Sequence, residues 1–192
     1  MIPLRLIDDT FEDNISLSGI QSNSKLIKNG NLFVAIDGNK DNGEDYIDEA
    51  VNKGAVAILT SNKRIKKENI PVIFNQNPRK KLSQLSKLFF PGSPDTICAV
   101  TGTNGKTSTV DFLYQIWELL GYNSATIGTL GVRSKKLNIN TVNTTPCPIK
   151  LHQTLDKLAK LRVSNLALEV SSHAIDQYRI NSVNLESACF TN

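Results

Sequence analysis

The run Thr101-Gly-Thr-Asn-Gly-Lys-Thr107 has the residue types and spacing to hold phosphate. A bound phosphate needs backbone N–H groups turned toward it, a helix N-terminus behind them and a cation beside it. Gly102 and Gly105 permit the necessary dihedrals and a close approach of the backbone. Lys106 can reach β- and γ-phosphate oxygens, and Thr107 can offer its hydroxyl to Mg²⁺. The context agrees: residues 96–100 read as a strand entering the loop, and residues 106–120 as a helix leaving it. The strict P-loop pattern asks for glycine at position 100, where this sequence has Val100, so the match is to a variant loop spanning residues 102–107. The chemistry is that of a chain binding ATP with Mg²⁺.

Other groups stand where they could join that chemistry. Glu169 ends a strand-like run, residues 165–170, at the carboxyl edge where parallel sheets collect their ligands. His173, two residues beyond Ser171, is open to two readings, a metal or phosphate contact or a structural hydrogen-bonding histidine. Thr144 and Thr145 precede Pro146 and make either a turn or a contact; Arg179 pairs with a substrate anion or with a surface carboxylate. His152 falls in a helical segment beside the stripe Leu151, Leu155 and Leu158 and reads as a surface residue.

The elements that must position these groups alternate strand and helix. Before residue 90, strands are expected at residues 32–36, 55–59 and 72–74 and a helix over residues 44–53. A second helix starts behind Asn77 as N-cap and Pro78 at its first position, burying Leu82, Leu85, Leu88 and Phe89. Pro91-Gly-Ser-Pro94 is turn-rich and reads as a linker. Beyond it come the strand and helix of the phosphate loop, strands at residues 124–127, 165–170 and 187–190, and a helix over residues 148–160. Such alternation gives an α/β fold: a small domain over residues 1–90, a linker at 91–95, and the first part of a P-loop-type, largely parallel-sheet domain over residues 96–192. The sequence stops directly after a strand, and the expectation is a fragment or an incomplete gene product.

Composition narrows the function classes. With 192 residues, 40% hydrophobic, 21% charged and a net charge of +4, the chain fits a globular protein taking a small anionic substrate better than one taking nucleic acid. Lys63, Arg64, Lys66 and Lys67 cluster in a loop beside Glu68 and read as a solvated surface. Cys98, Cys147 and Cys189 lie far apart without metal-ligand spacing, and the odd count without a signal sequence suggests reduced thiols in the cytoplasm. No apolar run reaches the ~20 residues that span a bilayer, so no membrane insertion is expected, and the chain is expected to be a monomer.

The loop, extended to Thr101-Gly-Thr-Asn-Gly-Lys-Thr-Ser-Thr109, resembles the ATP loop of the Mur ligases and of the related folylpolyglutamate synthetases. Asn143-Thr-Thr-Pro146 and Glu169-Val-Ser-Ser-His173, followed by Asp176-Gln-Tyr-Arg179, are similar to the tripeptide-forming branch of the Mur ligase family. Asn23-Ser-Lys25 and residues 30–38 resemble that family's UDP-binding first domain.

The resemblance implies roles position by position. Gly102, Thr103, Asn104, Gly105, Lys106, Thr107 and Ser108 would hold the ATP phosphates, with Lys106 and Glu169 catalytic. Thr107, Glu169 and His173 would stand at the Mg²⁺. Ser22, Ser24, Asn39, Lys40 and Asp41 would lie at the uridine-diphosphate end of the substrate, and Asn143, Thr144, Thr145, Ser171, Gln177 and Arg179 along its muramoyl-dipeptide. The implied reaction is ATP-dependent amide formation, through an acyl phosphate, between UDP-MurNAc-L-Ala-D-Glu and a diamino acid, meso-diaminopimelate by preference.

The sequence departs from the family pattern in two ways. The usual Asp-Ser-Arg of the first domain is Asn23-Ser24-Lys25, which loses a bidentate guanidinium. The Asp-His-Leu segment, the carbamylated lysine and the C-terminal domain are not in these 192 residues, so the chain alone is expected to be inactive. A folylpolyglutamate synthetase-like ligase and an inactive nucleotide-binding fragment remain as alternatives.

Overall fold

A computed structural model describes residues 1–11, 15–38 and 41–192. The chain divides into two compact units, Met1–Leu85 and Ser86–Asn192.

In the first unit β1 (Ile2–Pro3) pairs antiparallel with β2 (Ser16–Leu17). A separate four-stranded sheet runs β3 (Gly19–Gln21), β4 (Asn31–Val34), β5 (Ala55–Thr60) and β6 (Val72–Phe74), with every pairing parallel. Strands covered on both faces read as continuous apolar runs, and Leu32, Phe33 and Val34 of β4 are all buried. The helix expected over residues 44–53 begins instead as a 3-10 turn, Gly43–Tyr46, and becomes α1 only at Ile47–Asn52. The Asn42 side chain caps that turn by accepting the Glu44 N–H at 2.9 Å. Glu44 is held aside by Thr60 and Asn62.

The helix α2 (Pro78–Phe89) starts as expected, the Asn77 side chain accepting the Lys80 N–H at 2.9 Å. Leu82 and Leu85 are buried, but Leu88 is 41% exposed. At about 100° per residue Leu88 falls off the arc shared by Leu82, Leu85 and Ser86.

The second unit holds a six-stranded sheet. Its elements are β7 (Thr96–Thr101), α3 (Lys106–Leu119), β8 (Ser124–Gly128), β9 (Gly131–Ser134), β10 (Asn138–Ile139), α4 (Pro148–Lys160), β11 (Asn165–Glu169), α5 (Ser172–Asp176) and β12 (Ser187–Phe190). The spatial order is β10-β9-β8-β11-β7-β12. The pairings from β8 to β12 are parallel, while β9 and β10 add an antiparallel edge that the sequence reading did not foresee.

Alternation along the strands places one helix on each face. Ile97, Ala99, Leu166 and Leu168 pack with Leu151, Leu155 and Leu158 of α4. Val100 and Ala167 point the other way, against Val110, Leu113 and Trp117 of α3. Both central strands therefore deliver their carboxyl ends, Thr101 and Glu169, to one edge of a doubly covered sheet. β12 forms as expected but is exposed along its length, because it pairs only with β7.

His152 is not a surface residue. It is 2% exposed on the inner arc of α4, and its Nε2 has no hydrogen-bond partner. Burial, with a smaller contribution from the nearby Lys87 charge, lowers its pKa to about 4. The helix turns Pro148, His152 and Leu155 to the same side, so position outweighed residue type.

Candidate functional site

The phosphate loop leaves β7 and enters α3 with Gly105 as the helix N-cap in the left-handed region. Gly102 has φ +135°, and a Cβ there would meet the Thr191 carbonyl oxygen at 2.2 Å, so only glycine fits. The N–H groups of Thr103 and Asn104 converge on one oxygen, the main-chain oxygen of the final residue Asn192, at 2.8 and 2.9 Å. Two successive N–H groups aimed at one oxygen form the nest that a phosphate oxygen takes, so the loop's geometry fits the group its sequence implied. The Lys106 ammonium is folded onto the loop, donating to the carbonyls of Gly102 at 2.6 Å and Thr103 at 3.1 Å.

Glu169 sits at the centre of the site. It is buried at the end of β11, 1% exposed. Its carboxylate accepts the Thr107 hydroxyl at 3.0 Å, the Thr129 N–H at 3.0 Å and the Thr129 hydroxyl at 3.1 Å. Gly128 makes the room: a Cβ there would lie 2.1 Å from Glu169 Oε1. Thr107 Oγ1 and the Glu169 carboxylate are hard oxygen donors, the kind Mg²⁺ takes alongside phosphates and water. His173 is not brought to them; its Nε2 lies 2.8 Å from the Gln177 side-chain nitrogen on the exposed side of α5. No cluster of three or more His, Cys, Asp or Glu fit to hold a metal occurs among the described residues.

From Glu169 the hydrogen bonds continue into the residues expected along the muramoyl-dipeptide. The hydroxyls of Thr129 and Thr144 are 3.0 Å apart. Thr145 is buried, donates its hydroxyl to the Glu169 carbonyl at 3.0 Å and accepts the Ser171 N–H at 3.0 Å. Ser171 caps α5 through the Ala174 N–H. Arg179 donates to the Thr145 carbonyl at 2.7 Å and, through Nε and Nη2, to Gln177 Oε1. The structure thus joins Thr107, Thr144, Thr145, Glu169, Ser171, Gln177 and Arg179 in one network; Asn143 is exposed beside it. Gly128 and Thr129 belong to this network and were missed, although a glycine ending a parallel strand is itself a signal of close approach.

In the first unit Ser22, Ser24 and Asp41 line a cavity of about 350 Å³ with Asn23, Lys25 and Tyr46. The Ser24 hydroxyl is turned inward, donating to Glu49 at 2.6 Å. The implied contacts Asn39 and Lys40 lie outside the described residues. A hollow of about 690 Å³ lies along the basic loop instead, where Lys63 stands 4.7 Å from the Phe74 ring centre and Lys67 pairs with Asp48. The three cysteines are free thiols. No helix among the described residues is long and apolar enough to cross a membrane.

Comparison with known proteins decides the family. Residues 16–90 match the model of the Mur ligase family catalytic domain, and residues 100–192 match that of the Mur ligase middle domain. The chain belongs to the Mur ligase family. As a Mur ligase chain it is 44% identical over 178 residues to UDP-N-acetylmuramoyl-L-alanyl-D-glutamate--2,6-diaminopimelate ligase of Bradyrhizobium diazoefficiens, covering 93% of this chain and 36% of that protein. The enzyme of the same name from Agrobacterium fabrum is 42% identical over the same shares. The Mur ligase chain therefore spans little more than a third of the length of these relatives. A solved structure of a ligase with that name superimposes on the whole chain with TM-score 0.81 at 23% identity, using 40% of its own length, and shows the fold. MurF ligase of Thermotoga maritima, solved with ADP, matches 84% of this chain and 34% of its own at TM-score 0.54 and 24% identity.

Proposed function

We propose that this chain supplies the UDP-substrate-binding and ATP-binding parts of a MurE-type ligase, which joins a diamino acid, meso-diaminopimelate by preference, to UDP-MurNAc-L-Ala-D-Glu. One observation carries the reading: the Glu169 carboxylate is within hydrogen-bond distance of both the phosphate-loop Thr107 and Thr129, whose hydroxyl meets Thr144. Nucleotide loop and dipeptide-facing residues thereby share one carboxylate. The diaminopimelate ligases at 44% and 42% identity support the choice of substrate over a folyl substrate. In this reading residues 1–90 form the UDP-binding domain, 91–95 a linker and 96–192 the first part of the ATP-binding domain.

The amide bond cannot form from a carboxylate at neutral pH without activation, and the reaction passes through an acyl phosphate on the substrate carboxyl. The work of the chain's residues is positioning and charge neutralisation. The N–H groups of Thr103 and Asn104, with Gly102 and Gly105 as turns, cradle phosphate, and Ser108 follows in the first turn of α3. Lys106 exchanges the carbonyls of Gly102 and Thr103 for phosphate oxygens. Thr107 and Glu169 would hold Mg²⁺, and that ion would supply charge neutralisation at the phosphate oxygens. Arg179, with Gln177 and Ser171, orients the dipeptide end, while Ser22 and Asp41, with Asn39 and Lys40, take the uridine-diphosphate end. His173 orients Gln177 rather than binding metal.

The test is calorimetric titration of the 192-residue chain with ATP and Mg²⁺, then with UDP-MurNAc-L-Ala-D-Glu. Saturable binding of both is expected, with ATP binding lost in Lys106→Ala. ATP binding that survives Lys106→Ala would sink the loop assignment, and failure to bind the UDP-dipeptide would sink the substrate assignment.

A further inference from the structure

β12 runs parallel to β7 in the register that sets Phe190 opposite Thr101. The residue after it, Thr191, lies across the phosphate loop. Its N–H donates to the Thr101 carbonyl at 2.8 Å, and its hydroxyl lies 3.1 Å from that same carbonyl and 2.5 Å from the carbonyl of Asn104. Its backbone and side chain also fill the space that any Cβ at position 102 would need, and its Cβ is the nearest group to a Cβ built on Gly105. Thr191 thus touches the loop at its entry, at Gly102 and at Asn104.

We infer that Thr191 is a positioning residue of the phosphate loop, its hydroxyl fixing the Asn104–Gly105 peptide so that the Gly105 N–H faces the bound nucleotide. The geometry follows from the planar trans peptide, in which C=O and N–H point in opposite directions. Drawing the Asn104 carbonyl onto Thr191 turns the Gly105 N–H to the other side, away from Thr191. The contact at Thr101 does the same for the N–H of Gly102. A glycine-rich loop has many accessible dihedrals, and holding two of its peptides from outside lowers the ordering that nucleotide binding must supply. The need for glycine at 102 has the same origin: it admits the backbone of Thr191.

This inference rests on the reading that the loop binds ATP. The experiment compares ATP affinity with Mg²⁺, by calorimetry, for the unmodified chain and for Thr191→Val, Thr191→Ala, Thr191→Ser and Lys106→Ala. Losing the hydroxyl should weaken ATP binding about tenfold in both the valine and alanine variants, the equivalent of one net hydrogen bond. Serine restores the affinity, and melting temperatures of the alanine and serine variants agree. Hydrogen exchange at the loop should rise in the alanine variant alone of those two. Unchanged affinity in Thr191→Ala, or an equal loss in Thr191→Ser, overturns the inference. If Lys106→Ala also keeps its affinity, the ATP reading itself has failed; if Lys106→Ala loses binding while Thr191→Ala does not, only the role of Thr191 has.

Discussion

Glu169 Oε2 accepts the hydroxyl of Thr107 at 3.0 Å across 62 residues of sequence, with only 1% of Glu169 exposed. A carboxylate buried to that degree is tolerated because donors surround it. Each donor sits on a different element: Thr107 at the start of α3 and Thr129 just beyond β8, while Glu169 itself ends β11. Removing any of them has a distinct expected outcome.

Thr129→Val removes the hydroxyl at 3.1 Å from Glu169 Oε2 and keeps the shape of the side chain. Partners that orient a metal-binding carboxylate typically contribute roughly 10–100-fold to metal affinity. The Mg²⁺ dependence of ATP binding should shift to higher Mg²⁺ by that order, with little change in metal-free binding. Titrating Mg²⁺ at fixed ATP checks it; an unchanged midpoint would mean that Thr129 does not orient Glu169.

Gly128→Ala places a methyl 2.1 Å from Glu169 Oε1. Either the carboxylate or the strand end must move, and overpacking of this kind costs roughly 1–3 kcal/mol. Urea unfolding should show that loss, and ATP affinity in Mg²⁺ should fall with it. A variant as stable as the parent would show that Glu169 shifts freely.

Thr145→Val deletes two hydrogen bonds from a buried hydroxyl, one to the Glu169 carbonyl and one from the Ser171 N–H, each at 3.0 Å. Losing those two hydrogen bonds costs roughly 1–3 kcal/mol. Lower stability together with weaker UDP-dipeptide binding is the expected result. Normal dipeptide affinity in a destabilised variant would confine Thr145 to a structural part.

Stability should depend on pH through His152. Its folded pKa is about 4 against an ordinary value of 6.5. Above pH 6.5 both folded and unfolded forms are neutral, so this residue adds no pH dependence. Between pH 6.5 and about 4 the unfolded chain takes up a proton that the folded one refuses, and stability falls as pH drops. His152→Leu removes the effect and the unpaired Nε2, so at pH 4.5 it should exceed the parent by roughly 2 kcal/mol. Urea midpoints for both proteins at pH 7.5 and 4.5 measure it; parallel losses in the two would rule His152 out.

What the sequence made legible was local. The phosphate loop is contiguous, its strand and helix flank it, and Asn77-Pro78 caps α2 as read. Glu169 stood out as a candidate because it ends a strong apolar strand. Thr129 did not, because its meaning lies in a partner 40 residues away, and a single threonine after a strand carries no pattern of its own. The hairpin strands β9 and β10 escaped because Gly131–Ser134 and Asn138–Ile139 carry one large apolar side chain each and so make no apolar run. His152 was misplaced because a polar residue type was weighed above its place on the helix, and Leu88 for the converse reason.

The shared carboxylate also constrains the thermodynamics. Glu169 can satisfy Thr107, Thr129 and a cation only by dividing its lone pairs among them, and Thr129 answers to Thr144. If ATP with Mg²⁺ and the UDP-dipeptide bind as proposed, both draw on this one group and their binding is coupled. Whatever factor the nucleotide imposes on the affinity for the UDP-dipeptide, the UDP-dipeptide must impose on the affinity for the nucleotide, in the same sense and by the same amount.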